Sequence, residues 1–179
     1  MTTSVALFRG INVGGKNALA MKDLRDILQR LGCEDVRTFI QSGNAVFRRP
    51  ETTPRLEERI REAIFSSHGF EPAVLLTTAE HLERAVRANP FPEAESDPSK
   101  LHLFFLADVP TEPFSDAIED IRADSERFAV IGAVAYLHAP DGIARSKLAA
   151  RVERMLGVAA TARNWRSVTR ILEMARMGG

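Results

Sequence analysis

The chain has 179 residues, of which 45% are hydrophobic and 27% charged, values that are ordinary for a soluble globular protein. Its 24 basic and 24 acidic residues cancel, so it lacks the overall cationic field that favours nucleic-acid binding. A single cysteine, Cys33, excludes an intrachain disulfide and a cysteine-built metal site. With no signal-peptide pattern and no apolar run of about 20 residues, the sequence predicts a cytoplasmic protein without a membrane span.

The first 78 residues carry the hydrophobic pattern of alternating strands and helices. In chain order the pattern predicts a strand over 4–8, a helix over 21–31, strands over 36–41 and 45–48, a second helix and a strand over 72–77. The second helix is predicted to be capped at Thr53, to have Pro54 at its first position and to end before Gly69. The order βαββαβ is the split βαβ, or ferredoxin-like, arrangement. The first strand is apolar on both sides, which predicts that both faces of its sheet are covered.

The second half of the chain repeats this order less regularly. A short helix over 79–88 and an acidic stretch over 89–98 are followed by a strand over 101–106, a helix around 117–121, strands over 128–131 and 134–138, a helix over 145–156, an extended piece over 158–162 and a last helix from 164. We therefore predict an α+β fold of two ferredoxin-like (βαββαβ-type) halves, related by internal duplication and packed together. The predicted domains are 1–78, a helix and acidic linker over 79–99, and 100–179 with basic C-terminal helices.

The connection between the first strand and the first helix contains the segment Gly10–Asn17, with the sequence GINVGGKN. It runs about ten residues, whereas such connections usually have about two to six, and long glycine-rich connections are often retained for binding. Its spacing G-x-x-x-x-G-K is that of a phosphate-binding loop. However, Asn17 stands where that loop places a Mg²⁺-binding Ser or Thr, and the helix begins several residues later, so nucleotide hydrolysis of the P-loop type is not expected.

A looser prediction survives for this connection. Glycine-freed amides at Gly14 and Gly15, together with Lys16 near a helix start, predict an anion site to which Asn12 and Asn17 contribute. The alternative is that the glycines only permit a tight backbone path.

Two further motifs offer polar groups to a ligand. The first is the predicted hairpin turn Ser42-Gly43-Asn44 with the preceding Gln41. Gln41 and Asn44 carry neutral amides that can donate and accept hydrogen bonds to a ligand, although the motif is also a common turn. Near the end of the chain, Arg163 and Arg166 flank an indole and could clamp a phosphate. The alternative there is that Thr161 or Asn164 caps the last helix while the tryptophan packs into a groove.

The remaining reactive side chains form no recognisable catalytic or metal-binding pattern. The four histidines have no HxH, HxxxH or HExxH spacing, and no nucleophile motif accompanies Cys33. The sequence therefore indicates no catalytic residue, no metal and no cofactor, and leaves open whether the protein is an enzyme.

Three stretches together resemble a known family. They are Leu7–Asn17, Thr38–Phe47 and Thr161–Val168. In this order they are similar to the bacterial family called domain of unknown function 1697, over essentially the whole chain. The resemblance implies a duplicated ferredoxin-like α+β protein and no particular activity or ligand.

The preferred functional hypothesis is a cytoplasmic protein that binds a phosphate-bearing small molecule or nucleotide at loop 10–17. One alternative is a nucleic-acid binding module of the RNA-recognition type, in which Phe8 and Phe47 would stack on bases. Another is a non-catalytic interaction protein whose motifs serve only the fold. The sequence predicts no membrane partner and does not decide the oligomeric state.

Overall fold

The computed structural model describes residues 1–41, 43–50, 55–111 and 114–177, and within them the fold is α+β with two four-stranded antiparallel sheets. The chain divides into two compact units, one of Met1–Glu83 with Arg170–Gly179 and one of Arg84–Thr169, and each unit contains one sheet. The predicted domains follow chain order only, whereas this division assigns the end of the chain to the first unit. A contact between distant parts of a chain leaves no local sequence signal.

The first unit is built on the sheet with strand order β2-β3-β1-β4. Its elements are β1 (Thr2–Arg9), α1 (Met21–Arg30), β2 (Glu34–Phe39), β3 (Asn44–Arg49), α2 (Leu56–His68), β4 (Ala73–Thr78) and the start of α3 (Ala79–Arg87). The predicted order βαββαβ is confirmed over this stretch. The cap predicted for α2 at Thr53 and Pro54 lies outside the described residues. Helix α1 ends as predicted because Gly32, with φ of +88°, takes the left-handed conformation that stops a helix, and its N–H donates to the carbonyl of Gln29.

The core of the first unit lies between the helices and one face of the sheet. Ala6 and Phe8 of β1 and Phe47 of β3 pack there against the apolar sides of α1 and α2, such as Leu24 and Ile60. All residues from 5 to 8 are fully buried, as the unbroken apolar run predicts.

The second unit is built on the sheet with strand order β6-β7-β5-β8. Its elements are β5 (Leu101–Leu106), α4 (Ser115–Glu119), β6 (Arg127–Ile131), β7 (Val134–His138), α5 (Val152–Leu156), β8 (Ala160–Asn164) and the start of α6 (Trp165–Arg176). The extended piece predicted after the fifth helix exists as β8, displaced by two residues toward the C-terminus.

The prediction of one helix over 145–156 is wrong in its first half. Only Val152–Leu156 is α-helical, and it follows 3-10 turns at Ile143–Arg145 and Ala149–Arg151. The buried hydroxyl of Ser146 accepts a hydrogen bond from the N–H of Ala149 at 2.9 Å. Because Ser146 is extended, with ψ of 114°, this bond has the geometry of a helix N-cap, so a helix cannot run through Ser146 and the next helical turns begin only after it.

The acidic stretch predicted as a linker is folded into the second unit. It contains a 3-10 helix at Pro92–Ser96, and Phe91 and Ala94 are buried. Arg127 of β6 stacks over the Phe91 ring at 4.8 Å and forms an ion pair with Glu93. A segment that reads as polar and proline-rich can therefore still pack through a few apolar residues.

The turn between β2 and β3 leaves no space for a side chain at Gly43. A Cβ there would lie 2.5 Å from Ile11 Cδ1 and 2.6 Å from Phe8 Cβ, and the residue has φ of +88°. We predict that Gly43→Ala lowers the free energy of unfolding by about 2–4 kcal/mol, through both steric overlap and backbone strain.

The matched control for this substitution is Gly132→Ala, at φ of +58° with no atom within 4 Å of the added Cβ. It should cost only the strain of about 1–2 kcal/mol. Urea unfolding of both variants measures the difference, and equal losses would show that the close approach at Gly43 has no energetic weight.

The imidazole of His102 is buried without full hydrogen bonding. Its residue is 8% exposed, and Nδ1 has no partner within the described residues. Burial lowers the pKa of His102 from 6.5 to about 4, although a hydrogen bond with the Lys100 backbone acts in the opposite direction.

We predict a matching loss of stability in acid. Because the unfolded chain takes up the His102 proton at a higher pH than the folded chain, the contribution is complete above about pH 6.5 and declines toward pH 4, by up to about 1.4 kcal/mol per pH unit. Urea unfolding between pH 4 and 8 measures this slope. His102→Leu should flatten it, and an unchanged slope in that variant would assign the effect to other groups.

Candidate functional site

The glycine-rich connection of the first unit folds into a small turn. Val13 and Lys16 form an isolated antiparallel bridge, and the N–H of Lys16 donates to the carbonyl of Val13 at 3.0 Å. Between them Gly14 and Gly15 have φ of +58° and +74°, the pattern of a type I′ turn, which needs positive φ at both central positions. The turn conformation alone therefore accounts for the two glycines, whether or not a ligand binds.

The side chain of Asn12 anchors this turn to the rest of the unit. Its Oδ1 accepts the N–H of Leu19 at 2.8 Å, and its Nδ2 donates to the carbonyls of Leu19 at 2.9 Å and Gln41 at 2.8 Å. Asn12 itself has φ of +53°, which asparagine tolerates better than most residues. The contact to Gln41 shows that the loop and the β2–β3 hairpin lie at the same end of the sheet.

Some of the hydrogen-bonding groups of the loop are paired with each other. The N–H of Asn12 donates to the carbonyl of Asn17, and Asn17 Nδ2 donates to the carbonyl of Gly10 at 2.7 Å. The N–H groups of Gly14 and Gly15 and the ammonium of Lys16 are exposed and have no partner in the described ranges of the chain. Helix α1 begins only at Met21, so the loop differs from a phosphate-binding loop, in which the helix starts at the lysine.

The neighbouring hairpin is held by Asn44. This residue is fully buried, and its Nδ2 donates to the carbonyl of Phe39 at 3.0 Å, so its amide serves the turn. Gln41 is exposed, whereas Ser42 lies outside the described residues. Sequence reasoning missed Ile40, which is 51% exposed with φ of +51°. A β-branched residue rarely adopts that conformation, and no sequence pattern announces it.

The C-terminal motif belongs to the second unit, and there the capping interpretation is confirmed. Asn164 Oδ1 accepts the N–H of Ser167 at 2.9 Å at the start of α6, and Trp165 is buried. Burial lowers the pKa of Arg163 to about 10, and its Nη1 donates to the carbonyl of Ala162 at 2.7 Å. Arg166 is exposed.

No other chemistry emerges from the titratable side chains. Cys33 is buried, and its desolvation raises the pKa of the thiol to about 11, so it is not a thiolate nucleophile. Among the residues that the structure describes, no three histidine, cysteine or acidic side chains are grouped to hold a metal ion. No helix in the same ranges has both the length and the apolar character to cross a membrane.

We predict that the Asn12 amide is the main stabilising contact of the loop. Asn12→Gly keeps the backbone conformation but loses the three side-chain hydrogen bonds, and should lower the free energy of unfolding by about 1–3 kcal/mol. Asn12→Ala should cost about 1 kcal/mol more, because alanine is strained at positive φ. Urea unfolding and amide hydrogen exchange at Leu19 measure both effects. Wild-type stability and exchange in Asn12→Gly would exclude this anchoring role.

Comparison with known proteins agrees with this fold. The structure of the conserved bacterial protein SP0830 from Streptococcus pneumoniae superposes with a TM-score of 0.72 at 24% sequence identity, over 97% of this chain and 98% of that chain. That likeness concerns the fold alone. No curated protein matches the chain. A family model described as "Protein of unknown function (DUF1697)" matches residues 1–136, and the chain therefore belongs to this family.

Proposed function

We propose that the protein binds a phosphate-bearing small molecule or nucleotide at the loop between β1 and α1. The contacts would be the N–H groups of Gly14 and Gly15 and the ammonium of Lys16. One observation carries the proposal: the loop is pinned at both sides by Asn12 and Asn17, while these three donors at its tip remain unused within the described residues.

The physical case rests on preorganisation. A pinned loop loses little conformational entropy when a ligand binds, so a larger share of each contact appears as affinity. Successive backbone N–H groups in a turn are suitable donors to an anion, and a nearby lysine adds positive charge. Because Lys16 is exposed, its contribution should weaken with salt.

The other predicted site residues take supporting roles in this proposal. Asn12, Asn17 and Asn44 position the loop and the hairpin through bonds to backbone carbonyls. The exposed amide of Gln41 is available as a further contact beside the loop. Arg163 and Arg166 belong to the second unit and are not required.

We also infer that each unit is ferredoxin-like and that the two arose by duplication. The first unit has the order β1α1β2β3α2β4 with strand order β2-β3-β1-β4, and the second sheet has the corresponding order β6-β7-β5-β8. This fold hosts many functions, so it supports no particular reaction.

A small-molecule ligand is favoured over RNA by the aromatic residues of the first sheet. Phe8 and Phe47 are buried against α1 and α2 in the core of the unit. An RNA-recognition module needs aromatic side chains on an open sheet face to stack on bases. These two rings are not available for that role.

We predict that inorganic pyrophosphate and ADP shift the amide resonances of Gly14 and Gly15 in nuclear magnetic resonance titrations at low salt. Lys16→Ala should weaken the binding by about two- to fivefold, in keeping with one exposed charge. The matched control is Lys147→Ala, which removes an exposed lysine from the second unit.

If both variants weaken binding equally, the effect of Lys16→Ala reflects only the net charge of the protein. If the amide resonances of Gly14 and Gly15 do not shift, the proposal is wrong. A non-catalytic interaction protein would show changes in stability alone.

A further inference from the structure

A second candidate site lies in the first unit, in a cleft of about 480 Å³ between α1, β2 and the last turns of α6. We call it the arginine cleft, because its lining includes Arg25, Arg37 and Arg170. Its other walls are formed by Phe39 and Met174 together with neighbouring apolar residues. Neither the composition nor any motif of the sequence points to it, since its walls come from three separate parts of the chain.

The charges of the arginine cleft are incompletely paired. Arg25 is half-buried and donates to the neutral hydroxyl of Thr38 at 2.9 Å. Arg37 is also half-buried, and its guanidinium has no hydrogen bond or ion pair within the described residues. Only Arg170, on the rim, meets a carboxylate, that of Glu173 at 2.9 Å. Among the residues that the structure describes, no acidic side chain lines the cleft.

An arginine that lines a cavity without a carboxylate partner leaves its positive charge available to an anionic ligand. Two such groups facing one cavity create a strong local preference for an anion. Arginine is suited to this role, since its planar fork can donate two parallel hydrogen bonds to a carboxylate or a phosphate.

The remaining wall of the cleft is apolar. Val36 and Met174 are buried, and Phe39 is half-buried beside them. Methionine side chains adapt easily to irregular apolar shapes. A ligand that fills this space should therefore carry an apolar body as well as its charged group.

We propose that the arginine cleft binds a small organic anion, a carboxylate or phosphate group attached to an apolar body about the size of a bicyclic ring. The charged group would lie between Arg25 and Arg37, and the body against Phe39 and Met174. The cavity volume falls within the range of about 300–1,000 Å³ that is typical of small-molecule sites.

A small molecule is favoured over an added peptide strand. Strand β2 is an edge of its sheet, so it could in principle pair with a further strand. However, its register with β3 shifts between Glu34 and Arg37, and such a bulge bends an edge away from regular pairing. Arginines on an edge strand can also serve only to prevent aggregation, and that alternative predicts no ligand at all.

This proposal does not depend on the function proposed for loop 10–17. The two sites share no residue, so Lys16→Ala should leave binding in the arginine cleft unchanged. Substitution of Arg37 should in turn leave the pyrophosphate response of Gly14 and Gly15 unchanged.

The test is isothermal titration calorimetry on the full chain with four probes. 1-Naphthyl phosphate and 1-naphthoate carry both the charge and the apolar body, 1-naphthol lacks the charge, and inorganic phosphate lacks the body. We expect the two naphthyl anions to bind at least about tenfold more tightly than either of the other probes, because only they combine charge-assisted hydrogen bonds to the half-buried arginines with burial of an apolar body. The stronger of the two anions identifies the charged group that the cleft prefers.

Variants then locate the binding. Arg37→Gln, which stays polar on the edge strand, should weaken the preferred anion about tenfold or more, whereas Arg37→Lys should lose less because it keeps the charge. The matched control is Arg30→Gln, an exposed arginine of α1 outside the cleft, and it should bind as the wild type does. Thermal unfolding of each variant shows whether it is folded. If Arg37→Gln is unfolded, Phe39→Ala takes its place and should also weaken binding, because it removes part of the apolar wall.

The proposal is overturned by any of three results: 1-naphthol binds as tightly as the anions, Arg37→Gln binds as the wild type does, or no naphthyl anion binds. The last result would leave the arginines as protectors of the β2 edge.

Discussion

The side-chain amide of Asn12 is the contact on which the candidate site depends. The amide pairs with Leu19 as a neighbouring strand would: its oxygen accepts the N–H of Leu19 and its nitrogen donates to the carbonyl of Leu19. The same nitrogen also donates to the carbonyl of Gln41. A connection of this length would otherwise sample many conformations. This side chain thus links the loop to the hairpin, while Asn17 closes the loop and Asn44 holds the hairpin turn.

The two candidate sites of the first unit use positive charge in different ways. Lys16 projects into solvent, where water and salt screen its field, so the loop should bind weakly and favour ligands with several charges. Arg25 and Arg37 are half-buried beside apolar walls, where an ion pair is screened less. This contrast is why we propose an anion with an apolar body for the cleft and a hydrated phosphate group for the loop.

Much of the fold was predictable because it depends on local sequence patterns. The apolar stripe of α1, the glycine at its end and the alternation of strands and helices in the first 78 residues each depend on neighbours along the chain. Predictions failed where a side chain intervened. In the second unit the N–H of Ala149 donates to the hydroxyl of Ser146 and not to a backbone carbonyl. Phe91 and Ala94 are buried within a stretch whose sequence is typical of a linker.

The sequence by itself determined that a glycine-rich connection with one lysine follows the first strand, and that its paired glycines suit a tight turn. Only the tertiary structure decided that this connection lies beside the β2–β3 hairpin, because the side chain of Asn12 donates to the carbonyl of Gln41, which is far away in the chain. It alone revealed the arginine cleft, whose walls come from α1, β2 and α6. Spatial convergence of distant residues leaves no periodicity, spacing or composition that a single sequence could display.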